Sequence, residues 1–307
     1  MRTVLITGGA GFIGSHSAEA LLARDVAVRV LDNLSNGRRE NLPQAALADG
    51  RIEFIEGDVR DAAAVQRAVQ GVDAVLHLAA QVSVQRSVAE PLESAATNLT
   101  GFLNVLDAVR RERVARLVYA SSAAVYGVPA RLPLTEDVPP EPLSPYGLEK
   151  FFNDQYAALY RSLYGVSSLG LRYFNVYGPR QDPRSPYAGV ISKFAAAVAA
   201  GQPLTVFGDG QQTRDFVYVG DVAEANARAL LGAAQGVLNV GTGQCVTLLE
   251  LAETVFQAFG RRVEIRHGPA QTGDIAHSAM DPARIARALG FTPATPLLQG
   301  LQALART

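Results

Sequence analysis

The residues of this sequence best placed to move a proton are a tyrosine and a lysine four positions apart, Tyr146 and Lys150. Residues 145–164 are predicted to form a long helix, so both side chains share one helical face. An ammonium group beside a phenol favours the phenolate and lowers the tyrosine pKa from about 10 toward working pH. The pair therefore predicts a general base that takes a proton from a hydroxyl group. A chance pairing is the alternative.

A serine strengthens this interpretation. Ser122 comes at the end of the fifth predicted strand, before the helix that carries the pair. Ligands of open parallel sheets lie at the carboxyl ends of the strands, where a serine hydroxyl can hydrogen-bond a reacting oxygen. The alternative is that residues 121–123 are simply three small residues at a tight strand exit.

Three glycines predict a phosphate site near the start of the chain. Gly8, Gly11 and Gly14 follow the first predicted strand and open the first helix. Glycines at this spacing permit a tight turn and close approach of the backbone to a pyrophosphate, which the N–H groups of the helix start attract. A simple tight turn is the alternative, because glycine is common here (28 of 307 residues).

An acidic residue follows the second strand. Asp32 is placed to accept hydrogen bonds from the ribose hydroxyls of an adenosine. Its charge would repel a 2′-phosphate, which favours NAD over NADP. Asp58 follows the third strand and is predicted to lie at the rim of the adenine site. Asp32 can instead be a cap or turn residue within DNLSNG (32–37).

The elements that must position these residues alternate along the first half. Strands are predicted at residues 2–7, 27–31, 52–56, 74–78, 116–121 and 167–172, and helices at 13–23, 62–70, 92–111 and 145–164. This alternation predicts an α/β fold, a doubly wound parallel sheet of the Rossmann type. We expect this domain to span residues 1–178.

The regular alternation of strands and helices ends after residue 178, where GPRQDPRSPYAG (178–189) has the composition of a loop. Short strands are predicted at residues 204–207, 216–219 and 237–240, and helices near 190–200, 221–232, 247–259 and 283–289. We expect a smaller C-terminal α/β lobe, residues 179–307, that binds substrate. A return of the chain to the sheet near residues 215–245 stays open.

Composition narrows the function. The formal net charge is −1 and 19% of the residues are charged, so no basic face predicts a nucleic-acid or membrane partner. Cys245, the single cysteine, excludes an internal disulfide and fits a reducing compartment. With no signal peptide or membrane span in the sequence, we expect a cytoplasmic protein. The four histidines show no metal-ligand spacing, so no metal site is expected.

Seven segments together resemble the nucleotide-sugar epimerase/dehydratase family of extended short-chain dehydrogenases, and within it the UDP-hexose 4-epimerases most. The resemblance covers nearly the whole chain in order and implies tightly held NAD, a Ser122–Tyr146–Lys150 catalytic group, and a homodimer formed by the helices at 92–111 and 145–164. The segments are TGGAGFIG (7–14), DNLSNG (32–37), HLAA (77–80), SSAAVYG (121–127), SPYGLEK (144–150), RYFNVYGPR (172–180) and GDGQQTRDFVYVGDVAEA (208–225).

The resemblance also implies which residues line the two ligand sites. Those implied for NAD are Gly8, Gly11, Phe12, Ile13, Gly14, Asp32, Asn33, Ser35, Gly37, Asp58, Val59, Leu78, Ala79, Ala80, Gln81, Asn98, Ser121, Tyr146, Lys150 and Tyr173. Those implied for the UDP-sugar are Ser122, Tyr146, Asn175 at the diphosphate, Arg214 at a phosphate, Asn239 and Asp274 at the nucleotide, Val190 and Phe207 near the base, and Ser278.

Alternatives stay open for part of this second set. The guanidinium of Arg214 suits bidentate phosphate binding, but it can instead pair with Asp215 or Asp209. Val190 and Phe207 are as easily core residues.

The reaction is predicted to be 4-epimerisation of UDP-hexoses, UDP-glucose with UDP-galactose and UDP-N-acetylglucosamine with UDP-N-acetylgalactosamine, through a 4-keto intermediate. Dehydratases and decarboxylases of the family resemble one another in carrying an acidic residue beside the catalytic Ser or Thr, whereas Ala123 and Ala124 stand here. These positions lack the proton carrier that elimination needs. The alternatives are a UDP-glucuronate 4-epimerase, a dehydratase or a reductase, and a non-enzymatic protein that keeps only the dinucleotide site.

Two positions bear on the substrate. Family members commonly show Arg-x-Gly-Asp where this chain has Gln271 to Asp274, which weakens the phosphate clamp unless Arg266 or another arginine substitutes. Ser278 stands where epimerases restricted to unsubstituted hexoses resemble one another in carrying a tyrosine. The smaller serine predicts acceptance of N-acetylhexosamines, with a simple turn or capping role as the alternative.

Overall fold

Twelve strands and twelve helices organise the part of the chain that the structure describes. The structure is a computed structural model, and it describes residues 2–129, 131–182, 189–270 and 276–306. The strands are β1 (Thr3–Thr7), β2 (Ala27–Asp32), β3 (Ile52–Glu56), β4 (Ala74–His77), β5 (Arg116–Ser122), β6 (Ser168–Tyr173), β7 (Asn175–Tyr177), β8 (Leu204–Phe207), β9 (Thr213–Tyr218), β10 (Gly236–Val240), β11 (Cys245–Thr247) and β12 (Ile265–Gly268).

The helices lie between these strands. They are α1 (Phe12–Leu22), α2 (Gln44–Ala48), α3 (Ala62–Val69), α4 (Val84–Ala89), α5 (Pro91–Ala95), α6 (Gly101–Arg111), α7 (Pro145–Tyr164), α8 (Val190–Ala200), α9 (Val219–Leu231), α10 (Leu248–Phe259), α11 (Ala283–Leu289) and α12 (Leu297–Ala305). A π-helical stretch, Ala96–Thr100, joins α5 to α6, and short 3₁₀ turns span Arg39–Asn41 and Ala123–Tyr126.

The central sheet has seven parallel strands in the order β10-β6-β5-β4-β1-β2-β3. Side chains alternate across it: Val4 and Ile6 of β1 pack on the face covered by α1 and α9, whereas Leu5 packs on the face covered by α3, α6 and α7. Covering both faces explains why these strands are continuous apolar runs. The predicted doubly wound fold is confirmed.

The strand order reverses between β1 and β4, because the chain moves outward to β2 and β3 on one side and to β4 and β5 on the other. The crevice outside the carboxyl ends of the strands at such a switch point is where open α/β sheets bind ligands. The glycine turn, the end of β4 and the end of β5 all meet there.

A second core lies in the C-terminal part of the chain. Helices α8, α10 and α12 pack around apolar side chains such as Phe194, Val206 and Val255. Beside them are a parallel pair, β8 with β12, and a three-stranded sheet in which β9 pairs parallel with β7 and antiparallel with β11. Strand β10 nevertheless lies in the central sheet, so chain from this half completes the first core. A domain boundary near residue 178 stays a prediction.

Most elements fall where the periodicity predicts, and α7 matches its predicted range, 145–164. The helix expected over 92–111 is instead α5, the π-helical stretch and α6 in series. The prediction contained no element at α2, α4, β7, β11, β12 or α12, which are short or lie near the end of the chain. Among the described helices, none combines the length and apolar character needed to cross a bilayer.

Candidate functional site

The glycine turn after β1 allows no side chains at two of its positions. Gly8 has φ +71°, and a Cβ there would lie 2.7 Å from the backbone nitrogen of Ala79. A Cβ on Gly14 would lie 2.2 Å from the carbonyl oxygen of Gly8. Gly11 is the N-cap of α1 and donates its N–H to the same carbonyl (3.1 Å). The first turn of α1, with Phe12 and Ile13, therefore faces the crevice with backbone N–H groups close to the sheet.

The carboxylate of Asp32 organises the turn after β2. One oxygen accepts the N–H of Ala10 (2.9 Å) and the other accepts that of Leu34 (2.8 Å). Burial raises the pKa of Asp32, and the two backbone hydrogen bonds oppose that rise. The turn role left open by the sequence is thus real. It is compatible with ribose binding because each carboxylate oxygen can accept a second hydrogen bond.

The rim beyond Asp32 carries a second acidic residue. Asp58 forms an ion pair with Arg60 (2.6 Å) and accepts a hydrogen bond from Asn33 (2.9 Å). The hydrogen bond from Arg60 is the main reason that the pKa of Asp58 falls to about 2. Asn33 in turn accepts the N–H of Ser35 (3.1 Å). Gly37 completes the rim, since a Cβ there would lie 3.0 Å from both carboxylate oxygens of Asp32.

The loop after β4 borders the crevice on the other side of β1 and is fixed by a buried amide. Asn98 accepts the backbone N–H of Gln81 and donates to its carbonyl oxygen, both at 2.9 Å. Its side chain is therefore engaged within the protein. The loop residues Leu78, Ala79 and Ala80 are partly exposed at the end of β4.

Three elements bring the predicted catalytic group together. Ser122 ends β5, and its hydroxyl accepts the N–H of Ala124 (3.1 Å) and hydrogen-bonds Tyr146. Lys150, 2% exposed, donates from Nζ to the carbonyl oxygen of Ala120 in β5 (3.0 Å). Its Nζ lies 5.8 Å from the centre of the Tyr146 ring. The serine, tyrosine and lysine thus form one cluster at the carboxyl edge of the sheet.

The N-terminus of α7 is fixed at two points. Ser144 is the N-cap and accepts the N–H of Gly147 (3.1 Å), with Pro145 in the first helical turn. Ser87 of α4, fully buried, accepts the N–H of Tyr146 (3.1 Å). Two of the N–H groups that every helix start leaves unpaired are thereby satisfied, and the backbone of Tyr146 is held in place.

The electrostatics of the pair differ from the prediction. Burial raises the pKa of Tyr146, while the hydrogen bond to Ser122 opposes the rise. Burial also lowers the pKa of Lys150, to about 8, against the opposing charges of Glu149 and Asp154. The expected lowering of the tyrosine pKa is therefore wrong for this chain by itself, because desolvation and the charge of Glu149 outweigh the hydrogen bond with Ser122.

A neutral histidine lies beside the lysine. His77 ends β4, and its Nδ1 shares a hydrogen bond with the hydroxyl of Thr7 (2.8 Å). Burial, with a smaller contribution from the charge of Lys150, lowers the pKa of His77 to about 3. It therefore adds no positive charge near the ammonium at neutral pH.

Four residues expected to line ligand sites have side chains that are engaged or buried within the protein, and their roles toward a ligand stay predictions. Asn239, 0% exposed, accepts a hydrogen bond from Tyr126 through Oδ1 and donates through Nδ2 to the carbonyl of Leu134. The hydroxyl of Tyr173 donates to Asn226 (2.7 Å). Val59 packs in the core beneath α3 and α6. Ser121 is likewise buried within β5.

The residues expected on the substrate side lie around β7 and β9. Asn175 donates to the carbonyl of Asp215 (3.0 Å), and Arg214 donates to the carbonyl of Thr213 (2.8 Å). The carboxylate of Asp215 accepts hydrogen bonds from Thr242 and Gly243. The N–H of Ser278 donates to the carbonyl of Thr213 (3.2 Å), which fixes its backbone to β9 one residue before Arg214.

The remaining substrate predictions divide. Val190 packs against the C-terminal core, which fits the alternative of a core residue, whereas Phe207 is 40% exposed at the end of β8. Arg266, offered as a substitute cation, pairs with Glu264 (2.8 Å). Gln271 and Asp274 lie outside the described residues.

The fold brings to the cluster two residues for which the sequence predicted no role. Glu149 is buried beside Lys150, and Ser87 holds the amide of Tyr146. An acidic residue in the first turns of a helix usually lies at the surface and stabilises the helix N-terminus. Nothing in the sequence therefore indicated that Glu149 is buried. Nothing indicated the partner of the Tyr146 amide, 59 residues away, either.

The comparisons with known proteins agree with this geometry. A sequence profile of the NAD dependent epimerase/dehydratase family matches residues 4–241. The chain is 40% identical over 304 residues to a UDP-glucose 4-epimerase from Mycolicibacterium smegmatis, covering 98% of this chain and 96% of that protein. This chain therefore belongs to the NAD-dependent epimerase/dehydratase family.

Two solved structures are similar over nearly the whole length. One is a UDP-glucose 4-epimerase from Thermus thermophilus in complex with NAD, at 42% identity and a TM-score of 0.90, covering 99% of this chain and 98% of that one. The other is a UDP-N-acetylglucosamine 4-epimerase from Methanobrevibacter ruminantium in complex with UDP-N-acetylmuramic acid, at 36% identity and a TM-score of 0.95, covering 99% and 97%.

Proposed function

We propose that this protein is an isomerase that interconverts UDP-hexoses at C4 through a 4-keto intermediate. The observation that carries the proposal is the cluster of Ser122, Tyr146 and Lys150 at the same sheet edge as the glycine turn. An acid–base group beside a dinucleotide site is the arrangement that oxidation of a sugar hydroxyl requires. Membership of the family and the names of its near relatives support the same reaction.

Three residues of the chain would take part in the proton transfer, each with its own role. Tyr146 accepts the proton of the C4 hydroxyl as the C–H bond is oxidised and returns it when the keto group is reduced. Ser122 hydrogen-bonds the same oxygen and keeps it near the phenol. The Lys150 ammonium, held by the carbonyl of Ala120, stabilises the phenolate form of Tyr146 that takes up this proton.

The residues present fit NAD. Gly8 and Gly14 leave a backbone surface that a Cβ would fill, the start of α1 offers N–H groups to a pyrophosphate, and Asp32 retains acceptor capacity for a ribose. When bound, NAD supplies a hydride acceptor that is regenerated within each cycle. Because no external reductant is consumed, the reaction does not require the cofactor to leave the site.

Ala123 and Ala124 argue against the rival reactions. They form the 3₁₀ turn directly after Ser122, so the turn beside the reacting oxygen carries methyl groups. A dehydratase needs a further acid–base group for elimination. Epimerisation needs only rotation of the keto-sugar and return of the hydride to its other face.

The reaction is tested by proton NMR of the purified protein with UDP-N-acetylglucosamine and then UDP-glucose, without added NAD. We expect the galacto epimer to appear with each sugar, and Tyr146→Phe to slow its appearance by about 10²–10⁴-fold. No conversion of either sugar by protein that carries NAD would overturn the proposal. A 4-keto-6-deoxy product would favour a dehydratase instead.

The substrate range is proposed to include N-acetylhexosamines because of Ser278. Its backbone is fixed to β9 beside Arg214, and its side chain is small and half-buried. We expect Ser278→Tyr to reduce turnover of UDP-N-acetylglucosamine much more than that of UDP-glucose. Equal rates for both sugars in the folded variant would leave Ser278 with a turn role alone.

A homodimer is proposed from an apolar stripe on α7. Leu148, Phe152, Tyr156, Leu159 and Leu163 recur every three or four residues and are 37–60% exposed. Exposed apolar residues of the neighbouring α4 and α5 extend this surface, and large exposed apolar patches mark association sites. They are Val84, Val88 and Leu92.

Sedimentation velocity tests the dimer. We expect wild-type protein to sediment as a dimer and the double variant Phe152→Glu/Leu159→Glu to sediment as a monomer. The matched variant Lys193→Glu, at an exposed position of α8, should leave the dimer intact. A monomeric wild type would overturn this part of the proposal.

The proposed compartment is the cytoplasm. Cys245 is exposed on β11 and is the single cysteine of the chain. A fold held by packing alone, with a free surface thiol, suits a reducing environment. Fractionation of the native cells, followed by immunodetection, tests this expectation.

A further inference from the structure

The first two turns of α7 contain a buried acid that the proposed reaction does not use. Glu149 is 4% exposed and precedes Lys150, which is 2% exposed. One carboxylate oxygen of Glu149 accepts hydrogen bonds from the hydroxyl of Ser94 (2.8 Å) and from the amide of Asn98 (2.6 Å). Both donors are neutral groups.

A neutral glutamine could accept the same two hydrogen bonds. A buried carboxylate costs far more desolvation free energy than a buried amide does. The hydrogen bonds alone therefore do not explain why an ionisable residue stands at position 149. An interaction of its negative charge with the buried ammonium of Lys150, the next residue, does explain it.

The contacts of Glu149 also connect two sides of the site. Asn98 belongs to the π-helical stretch between α5 and α6, and π-helical segments often direct a side chain at functional sites. The same Asn98 side chain fixes Gln81 in the loop after β4. Glu149 thus links the helix that carries Tyr146 to the loop that borders the glycine turn.

We propose that Glu149 is a positioning residue whose buried charge keeps the Lys150 ammonium protonated and whose hydrogen bonds fix α7 against the loop after β4. This inference rests on the proposed roles of Tyr146 and Lys150. The pKa values agree in direction, because the charge of Glu149 raises the pKa of Lys150 against desolvation and also raises that of Tyr146.

Other charges near Lys150 are offset by partners of their own. Asp154, one turn further along α7, forms a buried ion pair with Arg172 of β6 (3.0 Å) and accepts a hydrogen bond from Tyr119 of β5. His77 of β4 is neutral at working pH, since its pKa is lowered to about 3. Among the described charged groups around Lys150, Glu149 is therefore the buried acid with neutral hydrogen-bond partners.

Charged groups on the other helices around α7 pair at the surface. Arg86 of α4 pairs with Glu90 and Glu93, and Arg110 of α6 pairs with Asp107. These pairs are exposed and screened by solvent, so they do not replace the charge of Glu149.

The chain offers a direct test because it contains two lysines, Lys150 and Lys193. Protein labelled with nitrogen-15 at the lysine side chains gives one signal for each, and exposed Lys193 is the internal reference. We expect Lys150 to titrate near pH 8 in the wild type. In Glu149→Gln the midpoint should fall by about one pH unit, because a nearby negative charge is removed.

Two control variants separate charge from packing. Glu149→Asp keeps the charge, and Ser94→Ala keeps the charge but removes a hydrogen bond. Both should retain the wild-type titration of Lys150. An unchanged midpoint in Glu149→Gln, or an equal shift in Ser94→Ala, would overturn the inference.

Kinetics provide the second readout. Removing a negative charge lowers the pKa of both Tyr146 and Lys150, so both limbs of the pH–rate profile of Glu149→Gln should move to lower pH by about one pH unit. A merely structural role would lower the rate without moving the limbs. The Lys150 titration needs no substrate, so failure of the epimerase proposal and failure of this inference are distinguishable.

Discussion

The glycine turn and the start of α7 lie at one edge of the same sheet but are built in different ways. The turn is steric: Gly8 and Gly14 are required because backbone atoms occupy the space where a Cβ would lie. The start of α7 is electrostatic: the partly buried Tyr146 and the buried Lys150 and Glu149 are ionisable groups that share hydrogen bonds with other elements.

This difference separates binding from chemistry. A fault in the turn should reduce stability and cofactor retention together, because the turn is part of the β1–α1 core. A fault in the α7 cluster should change the rate and its pH dependence while the fold persists. The following predictions test that separation.

The largest effect is expected from Tyr146→Phe. It removes the hydroxyl that hydrogen-bonds Ser122 but keeps the ring, so the proton acceptor is lost with little change in packing. We expect the epimerase rate to fall by about 10²–10⁴-fold, with NAD content and melting temperature close to wild type. A parallel loss of NAD would show that the two regions are not separable.

The second prediction concerns the glycine turn, where Gly14→Ala should reduce stability and NAD binding. The new Cβ would lie 2.2 Å from the Gly8 oxygen and 2.7 Å from the Gly9 Cα, neither of which can rotate away. We expect a loss of about 3 kcal/mol in the free energy of unfolding and loss of NAD. Gly11→Ala is the matched control, since its Cβ would stay 3.2 Å from the same oxygen. Denaturant unfolding measures both, and equal losses would contradict the steric account.

The third comparison is between the two acids of the rim. Asp32→Ala leaves the N–H groups of Ala10 and Leu34 without their acceptor, which should cost about 1–3 kcal/mol. Asp58→Ala breaks a partly exposed ion pair with Arg60 and should cost less than about 1 kcal/mol. Chemical denaturation of the two variants side by side checks the order, and a larger loss for Asp58→Ala would refute it.

The last prediction concerns the dependence of stability on pH. The pKa of His77 is lowered to about 3, so from its ordinary value near 6.5 down to 3 the unfolded chain binds a proton that the folded chain does not. The free energy of unfolding should therefore decrease as the pH decreases through this range, by at most about 1.4 kcal/mol per pH unit from this group. His77→Asn should reduce that slope. An unchanged slope in denaturation curves between pH 6.5 and 4 would contradict this assignment.

Much of the frame could be predicted because its causes are local. Apolar runs of strand length alternate with helical periodicity, which defines a parallel sheet, and Pro145 after Ser144 marks the start of α7 in the sequence itself. The spacing of Tyr146 and Lys150 on one helix is equally local. The glycine turn follows from the order strand, glycines, helix.

The sequence by itself determined the element types, the residues of the candidate catalytic group and the family. Only the tertiary structure decided which polar groups are buried and what each of them contacts. Asn239 and Tyr173 bond within the core, whereas Glu149 and His77 lie beside Lys150. Burial and charge depend on elements far apart in the chain, and desolvation by those elements set pKa values that local spacing predicted in the wrong direction for Tyr146.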